Sequence, residues 1–103
     1  MTPRIRWSSR GLADLHEIHD YLEREFPAAR PRAMRALLRA MDRIGAFANA
    51  APIAIVVGER AYHAALAGNY IVYYEVVDDW AVIARIRDAR RDVKGFDPGS
   101  SEP

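Results

Sequence analysis

The stretch that decides the fold is GNYIVYYEVVDDWAVIARIRD, residues 68–88, near the end of the chain. It contains two runs rich in β-branched and aromatic residues, separated by Asp78 and Asp79. Two such runs joined by a two-residue polar break are typical of a β-hairpin, although Asp-Asp is a weaker turn signal than Asn-Gly. We therefore predict two antiparallel strands here.

Side chains of a strand alternate between the two faces of its sheet. In the first run, one face receives Tyr70, Val72, Tyr74 and Val76, and the other receives Ile71, Tyr73, Glu75 and Val77. In the second run, Val82, Ala84 and Ile86 share one face, and Ile83, Arg85 and Arg87 share the other. We expect helices to cover the first-named face of each run and to leave the arginines on the open face.

Two amphipathic helices are predicted upstream of the hairpin, after a short strand at residues 4–7. The first has apolar residues at helical spacing, namely Leu12, Leu15, Ile18, Leu22 and Phe26. The second has a similar stripe, namely Met34, Leu37, Leu38, Met41, Ile44 and Ala48. Ser8 or Ser9 offers a capping hydroxyl to the first helix, Pro27 ends it, and Pro31 suits the first turn of the second.

This order of elements predicts an α+β fold, β-α-α-β-β-β, with a helical hairpin packed on one face of a small antiparallel sheet. Residues 52–67 have the least clear pattern: residues 53–57 are apolar without a period, and 61–66 could form an irregular strand. We expect a single domain over residues 1–96 and a mobile tail over 97–103, which has no core-forming pattern.

Composition narrows the class of protein. The 103 residues carry a net charge of +1, so we do not expect direct nucleic-acid binding, which usually needs a strongly basic domain. No cysteine is present, which excludes disulfides and a cysteine nucleophile. The N-terminus lacks the apolar stretch of a signal peptide, and no run approaches the roughly 20 apolar residues of a membrane span, so we expect a cytoplasmic protein.

Charge is unevenly distributed. Carboxylates dominate residues 14–25 and arginines dominate residues 30–43, so the two helices carry opposite signs. Exposed pairs between them should each contribute only about 0 to 1 kcal/mol.

The histidines do not form a recognisable metal motif. His16 and His19 are three residues apart, whereas two imidazoles one turn apart in the H-E-x-x-H motif are separated by four. We predict no metal and no cofactor. His63 follows Glu59, Arg60 and Tyr62 in a probable strand, a pattern that suits either a general base or an ordinary polar strand edge.

The open sheet face is the favoured binding site. It combines apolar and basic side chains, namely Ile71, Tyr73, Ile83, Arg85 and Arg87. An apolar centre rimmed by arginine suits a protein-binding groove, and the alternative is a solvated sheet face with isolated apolar residues.

These patterns together resemble the ParE branch of the RelE/ParE toxins of bacterial toxin–antitoxin modules. The resemblance runs from IRWSSRGLADLHEIHDYL (residues 5–22), through the second helix, to GNYIVYYEVVDDWAVIARIRDARRD (residues 68–92), and is weakest between residues 52 and 67. It implies a toxin held inactive by a ParD-like antitoxin, whose helical and extended C-terminal segment lies across the sheet and helical groove. ParE-like members inhibit DNA gyrase without catalysis, whereas RelE-like relatives cleave messenger RNA in the ribosome.

The chain departs from the ribonuclease branch at two places. RelE-like enzymes carry a tyrosine or histidine near the end of the last strand, but here no His or Tyr follows Tyr74. Ile71 stands where relatives usually carry arginine. We therefore expect a non-catalytic toxin with no catalytic residue.

The C-terminal basic residues are the predicted contacts with the target: Arg90, Arg91 and Lys94. In the ParE-like ending a histidine and a glycine commonly precede two basic residues and an aspartate, and Asp88 and Ala89 replace those first two. An arginine paired with Asp92 could equally be a structural lock. Two other functions remain open, namely an atypical RelE-like ribonuclease using Arg85, Arg87, Arg90 and His63, or an inactive homologue that only binds its antitoxin.

Overall fold

The computed structural model describes residues 4–90. The elements follow in the order β1 (Ile5–Trp7), α1 (Ser9–Glu25), a single 3-10 turn (Pro27–Ala29), α2 (Arg30–Ala46), β2 (Ile53–Val57), β3 (Arg60–Ala67), β4 (Tyr70–Val77) and β5 (Trp80–Asp88). The predicted α+β class, with two helices packed on a sheet, is confirmed. The tail expected at residues 97–103 lies outside the described residues.

The sheet has five strands in the order β1-β5-β4-β3-β2. β1 pairs in parallel with β5, and the remaining neighbours are antiparallel, so the sheet is mixed where the sequence predicted an antiparallel one. β2 is an edge strand with four of its five residues exposed, which explains why its sequence shows no period.

Local sequence signals set the helix boundaries as predicted. The Gly11 N–H donates to Ser8 Oγ over 2.9 Å, so Ser8 caps α1. α1 ends just before Pro27, and α2 begins with Pro31 in its first turn, where the missing amide costs nothing. Neither helix is long and apolar enough to cross a membrane within residues 4–90.

The hairpin of β4 and β5 closes on a two-residue turn, with Val77 opposite Trp80. Asp78 has a φ of 54°, the left-handed conformation that Asp tolerates better than most residues. On β4, Val72 and Tyr74 are fully buried against the helices, and Tyr70 and Val76 pack beside them. The predicted helix-covered face of β4 is confirmed.

On β5 a β-bulge changes the alternation. Tyr74 pairs with Ile83 but Tyr73 pairs with Arg85, which leaves Ala84 as the extra residue. Ile83 therefore lies in the core on the same side as Ile86, and it is 0% exposed. The prediction that Ile83 faces away from the helices is wrong, because the period of two breaks at the bulge.

Candidate functional site

The N-terminus of α1 covers the edge of β5. β1 pairs with β5 only as far as Ile83, and α1 supplies the next hydrogen bonds along that edge. The Ser8 N–H donates to Ile83 O (3.0 Å), Ser8 Oγ donates to Ala84 O (3.3 Å), and the Ile86 N–H donates to Asp14 Oδ2 (2.9 Å). The helix thereby satisfies backbone groups that a strand would otherwise pair.

Asp14 also holds Arg85. The Arg85 Nε donates to Asp14 Oδ2 over 2.7 Å, and Nη2 approaches Oδ1 at 3.4 Å. The two side chains are only 10% and 7% exposed. The sequence placed Arg85 in an open groove, and this is wrong, because its guanidinium is engaged by α1.

The other residues of the predicted face do come together. Ile71 lies opposite Arg87 across the β4–β5 ladder, and Tyr73 lies opposite Arg85. Ile71 and Arg87 are half-buried, whereas Tyr73 is 2% exposed. Burial raises the pKa of Tyr73 above its usual value, and the charge of Arg87 partly opposes this.

A cleft of about 1130 Å³ opens between α1 and the paired ends of β4 and β5. Tyr21 and Phe26 form its aromatic rim, with ring centroids 6.0 Å apart, and both are about half exposed. Arg87 and Arg90 line the same cleft from the end of β5. The cleft offers aromatic and cationic contacts together, the composition typical of protein-binding anchors.

Arg90, a predicted target contact, pairs with Asp88. Its Nε and Nη2 donate to the two carboxylate oxygens over 3.1 and 3.0 Å, and its backbone N–H donates to Oδ1 over 2.9 Å. The hydrogen bonds that Arg90 donates to the Asp88 carboxylate raise the pKa of its guanidinium. Arg91, Lys94 and the pairing expected with Asp92 lie outside the described residues.

His63 is held by the loop that connects α2 to β2. Its Nδ1–H donates to Ala51 O over 2.7 Å, and its ring stacks on Tyr74 with centroids 5.1 Å apart. The Tyr74 hydroxyl donates to Ala48 O over 2.6 Å. Since His63 is 9% exposed and lies on the inner strand β3, it fixes the loop from within the fold and matches neither a polar strand edge nor a general base open to a substrate.

Arg60, which precedes His63 by three residues, forms an ion pair with Glu75. Its Nε donates to Glu75 Oε2 over 3.2 Å on β4. Groups of three or more residues able to hold a metal ion are absent from residues 4–90.

The sequence did not single out Asp14 as a site residue. Its only signal is position: it lies three residues after Gly11 and directly before the apolar Leu15, on a helix whose other carboxylates, such as Glu17 and Asp20, are exposed. A lone carboxylate near the apolar stripe can indicate a buried partner. The partner itself, Arg85, is 71 residues away and could not be inferred.

Comparison with solved structures shows the fold. The chain is similar to one in the structure described as "Chromosomal ParDE TA system from P. aeruginosa", with a TM-score of 0.66 and 19% sequence identity. The match covers 85% of this chain and 97% of the other, so the two share a fold.

Sequence comparison then gives the family. Residues 5–93 match the family described as "ParE toxin of type II toxin-antitoxin system, parDE". The chain belongs to this ParE toxin family. A search of curated protein sequences found no match.

Proposed function

We propose that this protein is the toxin of a type II toxin–antitoxin module, that a ParD-like antitoxin neutralises it in the cytoplasm, and that it inhibits DNA gyrase without catalysis. The observation that carries the proposal is the match to the ParE family over residues 5–93. The absence of any His or Tyr after Tyr74 in the sequence supports the non-catalytic branch.

The geometry around the candidate ribonuclease residues also supports this branch. Arg85 is engaged by Asp14, Arg90 by Asp88, and His63 by the Ala51 carbonyl. RNA cleavage needs a base near the 2′-hydroxyl and cations free to meet the phosphate. Of these cations, the Arg85 side chain is only 10% exposed.

The antitoxin docks, in this proposal, on the sheet face at the half-buried Ile71 and Arg87. Tyr73, which is only 2% exposed, and Arg85 support that face from within the fold, and Ile83 lies in the core. Arg90, Arg91 and Lys94 contact the target, so the antitoxin and the target use different residues.

Induced expression without the antitoxin tests the proposal. We expect filamentation with DNA damage, because gyrase inhibition leaves breaks in replicating DNA. Rapid loss of protein synthesis would indicate the ribonuclease alternative instead. Unimpaired growth, with the protein shown to be folded and abundant, would indicate an inactive homologue.

A matched variant tests the role of His63. In His63→Asn, the side-chain amide can still donate to the Ala51 carbonyl, since Asn Nδ2 occupies nearly the same place as His Nδ1. We expect this variant to stay folded and toxic. Loss of toxicity in a variant whose circular dichroism and urea denaturation match the wild type would point to a chemical role for the imidazole.

A further inference from the structure

The outward face of α2 carries a row of arginines. Arg32, Arg35 and Arg39 are exposed and spaced three and four residues apart, which places them on one side of the helix. The opposite side faces the core through Leu37, Ala40 and Ile44. From Arg32 to Arg39 the row covers eight residues, or roughly 10 Å along the helix axis.

These arginines differ from the others of α2 in their surroundings. Arg30 forms an ion pair with Glu23 of α1 (2.6 Å), and Arg43 donates to the Leu66 carbonyl (2.6 Å). Among residues 4–90, Arg32, Arg35 and Arg39 form no ion pair. The acidic helix α1 therefore pairs with the beginning of α2, at Arg30, and not with this row.

An apolar side chain is exposed beside this row. Leu38 is 65% exposed, and it lies one helical turn from Arg35 and next to Arg39. A single exposed leucine is common on protein surfaces. Arginine, however, is enriched at protein interfaces, and Leu38 adds an apolar surface beside the row that a partner could cover.

We propose that Arg32, Arg35, Leu38 and Arg39, the basic face of α2, dock an acidic segment of the antitoxin. This inference rests on the proposed function, since it takes the antitoxin as the partner. Carboxylates of that segment pair with the guanidiniums, because the planar fork of arginine can donate two parallel hydrogen bonds to one carboxylate. An aliphatic side chain of the segment covers Leu38. The basic face lies on α2, apart from the sheet face at Ile71 and Arg87.

A protein partner fits better than a nucleic acid. A nucleic-acid backbone presents phosphates but no apolar group to cover Leu38. The net charge of the chain is only +1, so it lacks the basic surplus that retains a polyanion at physiological salt.

The test uses the antitoxin encoded beside the gene as the probe and compares two triple variants. One replaces Arg32, Arg35 and Arg39 by Gln. Its control replaces Arg4, Arg6 and Arg10 by Gln, three exposed arginines outside α2, and changes the net charge equally. Association and dissociation rates are measured at low and high salt, after circular dichroism has shown both variants folded.

We expect the α2 variant to associate roughly tenfold more slowly at low salt and to lose most of the salt dependence, because charges at an interface act mainly on the rate of encounter. The control should stay within about twofold of the wild type. A separate Leu38→Ser variant should raise the dissociation rate with little effect on association.

Other results overturn the inference. Equal effects of the two triple variants would mean that overall charge, and not this face, sets the rate. Unchanged binding by the α2 variant and by Leu38→Ser would show that the basic face of α2 does not dock the antitoxin. Loss of binding to a duplex DNA or RNA probe in the α2 variant alone would assign the face to nucleic acid. If the wild type binds no antitoxin, the proposed function fails independently of the mapping.

Discussion

Asp14 joins α1 to β5 through its carboxylate. It accepts hydrogen bonds from the Arg85 side chain and from the Ile86 backbone, and it is almost completely buried. Burying two charges is costly, so such a pair adds little net stability compared with apolar residues of similar size. Removing one partner, in contrast, destabilises the fold strongly, because the remaining charge is then buried without a partner.

We predict that Asp14→Ala lowers the free energy of unfolding by about 3 to 5 kcal/mol. The double variant Asp14→Leu with Arg85→Met should recover much of this loss, since no charge is left unpaired. As a control, Arg24→Gln breaks the exposed Arg24–Glu25 pair and should cost about 0 to 1 kcal/mol. Urea denaturation measures all of them, and an Asp14→Ala cost no larger than that of the control would contradict the assigned role.

At the scale of elements, the docking of α1 onto β5 depends on a close backbone approach. A Cβ added at Gly11 would lie 2.4 Å from the Ile83 carbonyl oxygen, and that neighbour is backbone and cannot rotate away. Gly11 is thus required by packing, although glycine is a poor residue inside a helix.

We predict that Gly11→Ala destabilises the protein, even though alanine normally favours a helix over glycine by about 1 kcal/mol. The shift of α1 away from β5 should also weaken the Ile86–Asp14 hydrogen bond. The reverse change at the exposed Ala13, Ala13→Gly, should cost about 1 kcal/mol through helix propensity alone. A gain of stability in Gly11→Ala, measured by thermal unfolding, would show that α1 does not pack closely against the backbone of β5.

The elements also show how far the sequence predicts the fold. Both helices, their caps and the β4–β5 hairpin follow from local patterns such as Ser8 and Pro27. The parallel pairing of β1 with β5 and the bulge at Ala84 arise from contacts between distant segments, and neither has a local signature. Because the bulge reverses the alternation, Ile83 was assigned to the wrong face. Arg85 was assigned to an open groove because its partner, Asp14, is 71 residues away.

At the scale of the whole molecule, the stability of the fold depends on the ionisation of four tyrosines in the sheet. Burial is the main cause that raises the pKa of Tyr62, Tyr70, Tyr73 and Tyr74 above the usual value of 10.0. At neutral pH these hydroxyls are therefore protonated, and none is a phenolate base. In the unfolded chain they ionise near 10.0.

We predict that the free energy of unfolding falls as the pH rises through 10.0. Above this pH the unfolded chain releases tyrosine protons that the folded chain still holds, and the state that binds more protons loses stability as pH rises. Only one lysine is present, so few other groups titrate in this range. Urea denaturation at a series of pH values measures the free energy of unfolding, and phenolate absorbance measures the ionisation of the tyrosines. A free energy of unfolding that stays constant as the tyrosines ionise would contradict the assigned burial.

Purified DNA gyrase provides the test of the proposed target. The measurement is the ATP-dependent supercoiling of relaxed plasmid by gyrase with increasing amounts of the folded protein. We predict that supercoiling is inhibited in proportion to the protein added, and that adding the antitoxin restores it. Full supercoiling in the presence of a large molar excess of folded protein would show that gyrase is not the target.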